Sequence, residues 1–180
     1  MITIIAGTNR PNSATFAVAK YYQEQLSQLV EEPVNLLSLT ELPKDMFNPA
    51  MYTAEGQSRQ LMDLQDLVMI PAQRFVFVSP EYNGSFPGIL KFFLDACSIR
   101  EIGPTYRGKK AVLVGVASGR AGNLRGMEHL TGILNYLGIA VLPLKLPISQ
   151  IGKLRDENGQ LTDQATREAI GDQLQKFLAF

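Results

Sequence analysis

The chain has one cysteine and one histidine in 180 residues. A single thiol, Cys97, excludes an internal disulfide and any cysteine-clustered metal site. A lone His129 excludes a zinc centre built from several histidines, so no metal is expected. Neither sign of charge is in excess, with 17 Lys and Arg against 17 Asp and Glu. That balance provides no basic footprint for nucleic acid and no polybasic patch for a membrane. It also argues against an acidic electron carrier that steers its partners by charge. Long apolar runs are missing as well. Met1–Gly7 is apolar but far too short for a signal peptide or a membrane span, and it carries no basic flank. A reducing, cytoplasmic setting is the expectation. No internal repeat, low-complexity tract or linker interrupts the chain.

What is present is an ordinary globular composition, 46% apolar and 19% charged, enough for a single domain over residues 1–180 with its own core. Five short apolar runs recur: Thr3–Ala6, Val34–Leu39, Phe75–Ser79, Ala111–Ala117 and Ile139–Leu142. Each is continuous rather than alternating, the pattern of parallel strands buried on both faces. Amphipathic stretches lie between them. In the first, Phe16, Ala19, Tyr22, Leu26, Leu29 and Val30 fall at helical spacing. Further helices are expected near Gln57–Leu67, Pro87–Ser98, Asn123–Leu137 and Asp163–Leu178, the last with Thr162 as N-cap. Strand alternating with helix predicts a doubly wound α/β sheet of five parallel strands, in the flavodoxin-like order 2-1-3-4-5, with helices on both faces. Pro43–Gly56 and Arg100–Gly108 fit neither pattern. Each is read equally well as a surface loop or as the border of a ligand or partner subunit.

Ligands of such sheets bind beyond the carboxyl ends of the strands, where the strand order reverses. The loop after the first strand, Gly7-Thr8-Asn9-Arg10-Pro11-Asn12-Ser13-Ala14-Thr15-Phe16, offers three hydroxyls and an arginine at a helix start. The free N–H groups and positive dipole end there suit a phosphate, while the same residues also read as an ordinary capped turn. No Gly-Lys-Ser/Thr follows, so the loop is not a Walker A segment. Gly7 stands alone, so the dinucleotide fingerprint is absent too, which favours a mononucleotide. After the third strand comes Pro80-Glu81-Tyr82-Asn83-Gly84-Ser85-Phe86-Pro87-Gly88, rich in turn formers and exposed backbone donors beside an aromatic ring.

These two motifs, together with Lys91, Arg107-Gly108-Lys109 and Ala117-Ser118-Gly119-Arg120-Ala121-Gly122, closely resemble the NADPH-dependent FMN reductase family. That family also includes chromate, quinone and azo-dye reductases. The resemblance implies FMN as cofactor, NADPH or NADH as hydride donor, and a homodimer or homotetramer. Thr8, Arg10, Ser13 and Thr15, with Phe16 beside them, match the family's phosphate cradle, although Thr15 stands where asparagine is frequent. Pro80, Glu81, Tyr82, Asn83 and Gly84 match the segment lining the flavin ring. Ser118, Gly119 and Gly122 match the loop near the ring's pyrimidine side, and Arg120 is a candidate contact for NAD(P)H. Phe92-Phe93 departs from the family where an asparagine often follows the lysine, a change expected to affect helix packing or a dimer face.

The function so implied is an oxidoreductase that passes a hydride from NAD(P)H through FMN to a small acceptor: free flavin, quinone, azo compound or metal oxyanion. The cofactor carries the chemistry, so no catalytic acid–base pair is needed, and a ping-pong order is expected. The alternative is a non-enzymatic electron-transfer protein of flavodoxin type. A phosphatase of similar topology would need an arginine six positions after Cys97, where Gly103 stands. A receiver domain would need acidic residues where Ala6-Gly7 and Ser79-Pro80 stand. His129 and Cys97 are read as structural, and Arg125 with Arg120 as decoration of a helix start.

Overall fold

The computed structural model describes residues 1–53 and 55–180. Among these residues a six-stranded parallel sheet runs β2-β1-β3-β4-β5, with β6 also pairing β4. The strands are β1 (Ile2–Ala6), β2 (Val34–Ser38), β3 (Arg74–Pro80), β4 (Lys110–Val116), β5 (Ala140–Val141) and β6 (Leu146–Ile148). The helices are α1 (Ala14–Leu29), α2 (Arg59–Leu64), α3 (Gly88–Ala96), α4 (Ile102–Tyr106), α5 (Leu124–Tyr136) and α6 (Gln164–Ala179). Successive residues of a strand point to opposite faces. Thus Ile5, Phe75, Phe77 and Leu113 face a core closed by α2, α3, α4 and α5. Ile4, Val76, Val78, Val112 and Val114 face a second core closed by α1 and α6. Both faces are covered, and the strands therefore read as unbroken apolar runs.

The fifth strand departs from expectation. Lys110 and Ala111 pair with Ala140 and Val141, and Val114–Val116 pair with Leu146–Ile148, leaving Val112 and Leu113 unpaired on that side. Pro143 turns the chain out, and it returns one step later as β6. Sequence reading stops at Leu142 because prolines punctuate the run. Pro147 is nonetheless accepted in the edge strand, where a missing N–H costs little. The helix expected over Gln57–Leu67 begins at Arg59 and is extended by a wide π-type turn, Gln65–Met69. The N-cap of α6 is Asp163, not Thr162. The Asp163 carboxylate accepts from the Thr166 hydroxyl at 2.7 Å and from the Thr166 amide at 2.8 Å, and these bonds, the hydroxyl's above all, hold its pKa below the ordinary value. Thr162 instead bonds back to the Leu154 carbonyl. An ionised acceptor at a helix start also meets the positive dipole end.

The two unassigned segments are largely exposed, each sending a few side chains into the core. In Pro43–Gly56, Met46 and Met51 plug the first core while Phe47 and Tyr52 stay exposed. In Arg100–Gly108, Tyr106 of α4 is buried and donates to the Leu94 carbonyl at 2.9 Å.

Cys97 is fully buried, and burial pushes its thiol up from 9.0 to about 12, opposed by smaller effects of Tyr106 and Arg100. A thiol-specific disulfide reagent should leave the native protein unmodified and react only with unfolded chain. Between pH 9 and 12 the unfolded chain releases this proton while the folded chain keeps it. The thiol's contribution to stability is therefore complete below pH 9 and is lost as pH rises. Urea denaturation at rising pH should show a steeper fall for the natural protein than for Cys97→Ala.

Candidate functional site

Beyond the carboxyl ends of β1, β3 and β4 the described residues enclose a cleft of about 300 Å³. It sits at the point where the strand order reverses between β1 and β3.

One wall is the first βα turn. Gly7 leaves β1 with its amide on the Val78 carbonyl at 2.8 Å. A side chain there would meet Val78 O at 3.1 Å and Leu90 at 3.0 Å, so the chain passes close to β3. Asn12 takes the left-handed conformation, φ 53°, and turns the loop into α1. Ser13 caps the helix, its Oγ accepting from the Phe16 amide at 3.1 Å. The amides of Ala14 and Thr15 belong to the first helical turn, which has no preceding carbonyls to bond, and both residues line the cleft. Thr8 and Arg10 complete this wall. Thr8 is buried and shares a 2.8 Å hydrogen bond with the Tyr82 hydroxyl across the cleft. Phe16 does not line the cleft. Its ring lies on the outer side of α1, against other hollows.

The opposite wall is the segment after β3. Tyr82 and Ser85 exchange backbone bonds of 2.9 and 3.1 Å, and between them Asn83 and Gly84 have φ of 51° and 80°. Two successive positive φ values define a type I′ turn, which Asn-Gly forms more readily than other pairs. The Glu81 carboxylate accepts from the Gly84 amide and locks the hairpin. Pro80, Glu81 and Tyr82 face the cleft, while Asn83 and Gly84 form the hairpin tip beyond it. Asn123 fixes this wall from behind, its buried Nδ2 donating to Ser79 O at 3.1 Å and Pro80 O at 2.9 Å.

The third side is the end of β4 with Ala117 and Ser118. Gly119 and Gly122 hold the loop rather than line the cleft. The Gly119 carbonyl accepts from Gln150 at 2.9 Å, and Gly122, at φ 56°, packs on Pro147. Arg120 is exposed, its carbonyl accepting from Ser149 at 2.6 Å. Arg125 reaches the hairpin, with a guanidinium nitrogen 3.0 Å from where a Gly84 side chain would begin. His129 shares a 2.9 Å hydrogen bond with Ser85.

Two residues of the cleft carried no sequence signal: Ile151 and Arg155. Ile151 and Arg155 arrive from beyond β6, through a polar stretch that resembles any surface loop. Asn123, behind the cleft, could have been suspected only as a helix start.

The site is mononucleotide-sized, with a helix N-terminus, two arginines and hydroxyls at one end and a rigid turn at the other. The fold around it is flavodoxin-like. The solved structure of the flavoenzyme NAD(P)H:(acceptor) oxidoreductase of Paracoccus denitrificans shares the fold. It superposes with a TM-score of 0.80 at 20% identity, over 99% of this chain and 94% of that one. Residues 1–153 match the sequence profile of the NADPH-dependent FMN reductase family. The chain belongs to that family, and FMN is the cofactor this membership assigns to it.

An NAD(P)H-dependent FMN reductase of Pseudomonas aeruginosa is 37% identical over 107 residues, 58% of this chain and 56% of that protein. A 2-hydroxy-1,4-benzoquinone reductase of Burkholderia is 30% identical over 110 residues, 61% of this chain and 60% of that protein. The match thus spans between half and two thirds of the length of these curated relatives. No helix among the described residues is long and apolar enough to cross a membrane.

Proposed function

We propose that the chain, a single domain over residues 1–180, is a cytoplasmic NAD(P)H-dependent oxidoreductase that holds FMN in this cleft. The observation that carries the reading is the convergence of α1's N-terminus and Arg10 with the Pro80–Tyr82 segment across one opening. The donor set fits a phosphate monoester joined to a flat ring. Main-chain amides, the hydroxyls of Thr8, Ser13 and Thr15, and guanidinium groups gather at one end. They bind the phosphate without a metal.

At the other end Pro80–Tyr82 and the Ala117–Ser118 backbone would hold the ring edge. When bound, FMN supplies the two-electron chemistry, taking a hydride from the nicotinamide and giving it to the acceptor. The protein contributes position and fixed dipoles. The Glu81 carboxylate is tied to the Gly84 amide, so it serves architecture and not proton transfer. Arg120, exposed in the loop after β4, is the candidate contact for the phosphates of NAD(P)H.

One open cleft serves donor and acceptor in turn. Initial-rate lines should be parallel, and intersecting lines with a ternary complex would overturn that order. The acceptor is a small molecule of the quinone, azo, flavin or metal-oxyanion class, as the names of relatives suggest. A homodimer or homotetramer is supported by Phe47, an exposed aromatic ring that packs on Phe92 at 5.3 Å between ring centroids.

The test is the visible spectrum of protein with FMN before and after anaerobic NADPH. Rapid bleaching of the flavin bands supports the reductase, and bound flavin that stays oxidised points to a carrier. Arg10→Ala should weaken FMN by roughly 10- to 100-fold, the scale of a charge-assisted bond, and leave riboflavin nearly unchanged. Equal losses for both would remove Arg10 from the phosphate end.

A further inference from the structure

Just past the segment matched by the family profile, which ends at residue 153, the chain forms a small hairpin from Leu154 to Thr162. Arg155 bridges to Leu161. Asp156 and Gln160 bond through their backbones at 3.0 Å, and the Asp156 carboxylate accepts a second bond from the Gln160 amide at 2.8 Å. Gly159, at φ 78°, makes the turn. Leu161 is buried in the second core, and the hairpin borders the first turns of α1, sharing a hollow with Phe16, Ala17 and Lys20. The hairpin is thereby seated beside the N-terminus of α1, and it carries Arg155 into the cleft with Arg10, Ser13 and Thr15.

Arg155 is the feature of the site that lacks an internal explanation. Its Nε is buried and has no hydrogen-bond partner. A buried N–H left unpaired costs free energy, and a guanidinium concentrates that cost because it is charged. Among the described residues no carboxylate pairs with it. The neighbouring Asp156 is engaged within the hairpin, and Glu81, across the cleft, is held by Gly84. An anion entering the cleft that Arg155 lines supplies the missing counter-charge.

We infer that the Arg155 guanidinium donates to the phosphate of the bound mononucleotide, adding a second cation to the cradle that Arg10 lines. The inference rests on the FMN reading of the cleft. Two guanidinium groups then balance a phosphate dianion, and the hairpin beyond β6 becomes a specificity element for the phosphorylated flavin over riboflavin.

The test is fluorescence titration of FMN and of riboflavin into the natural protein, Arg155→Gln and Arg155→Lys, with melting curves for each. Arg155→Gln should lose FMN affinity by ~10- to 100-fold and keep riboflavin affinity within about two-fold. Arg155→Lys keeps the charge but lacks the planar guanidinium fork, so it should lose FMN affinity several-fold, again sparing riboflavin. If Arg155→Gln fails to fold, the lysine variant decides by the same ratio.

An unchanged FMN-to-riboflavin ratio in the folded variants would overturn the role of Arg155 and leave the flavin reading intact. A rise in KM for NADPH with FMN binding unaltered would place the residue on the nicotinamide nucleotide and also overturn it. Natural protein that binds neither flavin would instead remove the reading beneath it.

Discussion

Gly115→Ala is expected to destabilise the protein by about 3 kcal/mol or more, above the usual range for overpacking, and to weaken FMN binding with it. The added methyl group would lie 2.0 Å from the Gly122 carbonyl oxygen and 3.0 Å from the side chain of Asn123. Neither can withdraw freely. Gly122 lies so near Pro147 that a side chain on it would meet that residue at 2.6–2.9 Å, and Asn123 is bonded to the carbonyls at the end of β3. Relief requires the loop between β4 and α5 to lift, and that loop brings Ser118 to the cleft. Gly171→Ala is the control. It lies in the middle of α6 with nothing within 4 Å of the new group, and it should gain roughly 0.5–1 kcal/mol from helix propensity. Denaturant unfolding and FMN titration of both variants check this. A Gly115→Ala protein as stable as the natural one would refute the close approach.

Gln173→Leu should cost about 2–4 kcal/mol, a fall in Tm of roughly 5–15 °C for a chain of this size. Gln173 is fully buried in α6. Its Oε1 accepts from the Tyr22 hydroxyl at 2.7 Å, and its Nε2 donates to the carbonyls of Leu113 and Leu144 at 3.1 and 3.0 Å. Leu113 faces the gap where the fifth strand leaves β4. The amide stands in for missing ladder bonds and ties α1, α6, β4 and the returning chain together. Leucine fills the space but leaves two carbonyls and a hydroxyl unpaired. Tyr22→Phe removes one donor and should cost less, about 1 kcal/mol. Equal and small effects of both would mean that the gap is bridged in some other way.

Several features of the site were readable because local rules govern them. Asn83-Gly84 specifies its own turn, and Ser13 specifies its own cap, since both depend on residues no more than three apart. The three loops that form the cleft could be named in advance because parallel strands, buried on both faces, announce themselves and the topology places ligands after them. The N-cap of α6 slipped by one residue, from Thr162 to Asp163, because two adjacent residues both suit the position and only the bond to Thr166 chooses between them.

By itself the sequence determined the doubly wound sheet, its strand order and the two motifs that face each other across its carboxyl edge. Hydrophobic period and turn chemistry are short-range properties, and they survive in a bare string of letters. Only the tertiary structure decided the break in the fifth strand, the filling of that break by Gln173, the brace from Asn123 and the arrival of Arg155 in the cleft. Each depends on a polar side chain meeting a group dozens of residues away. Whether such a residue is solvated or buried, paired or waiting for a ligand, is set by where the packed elements bring it.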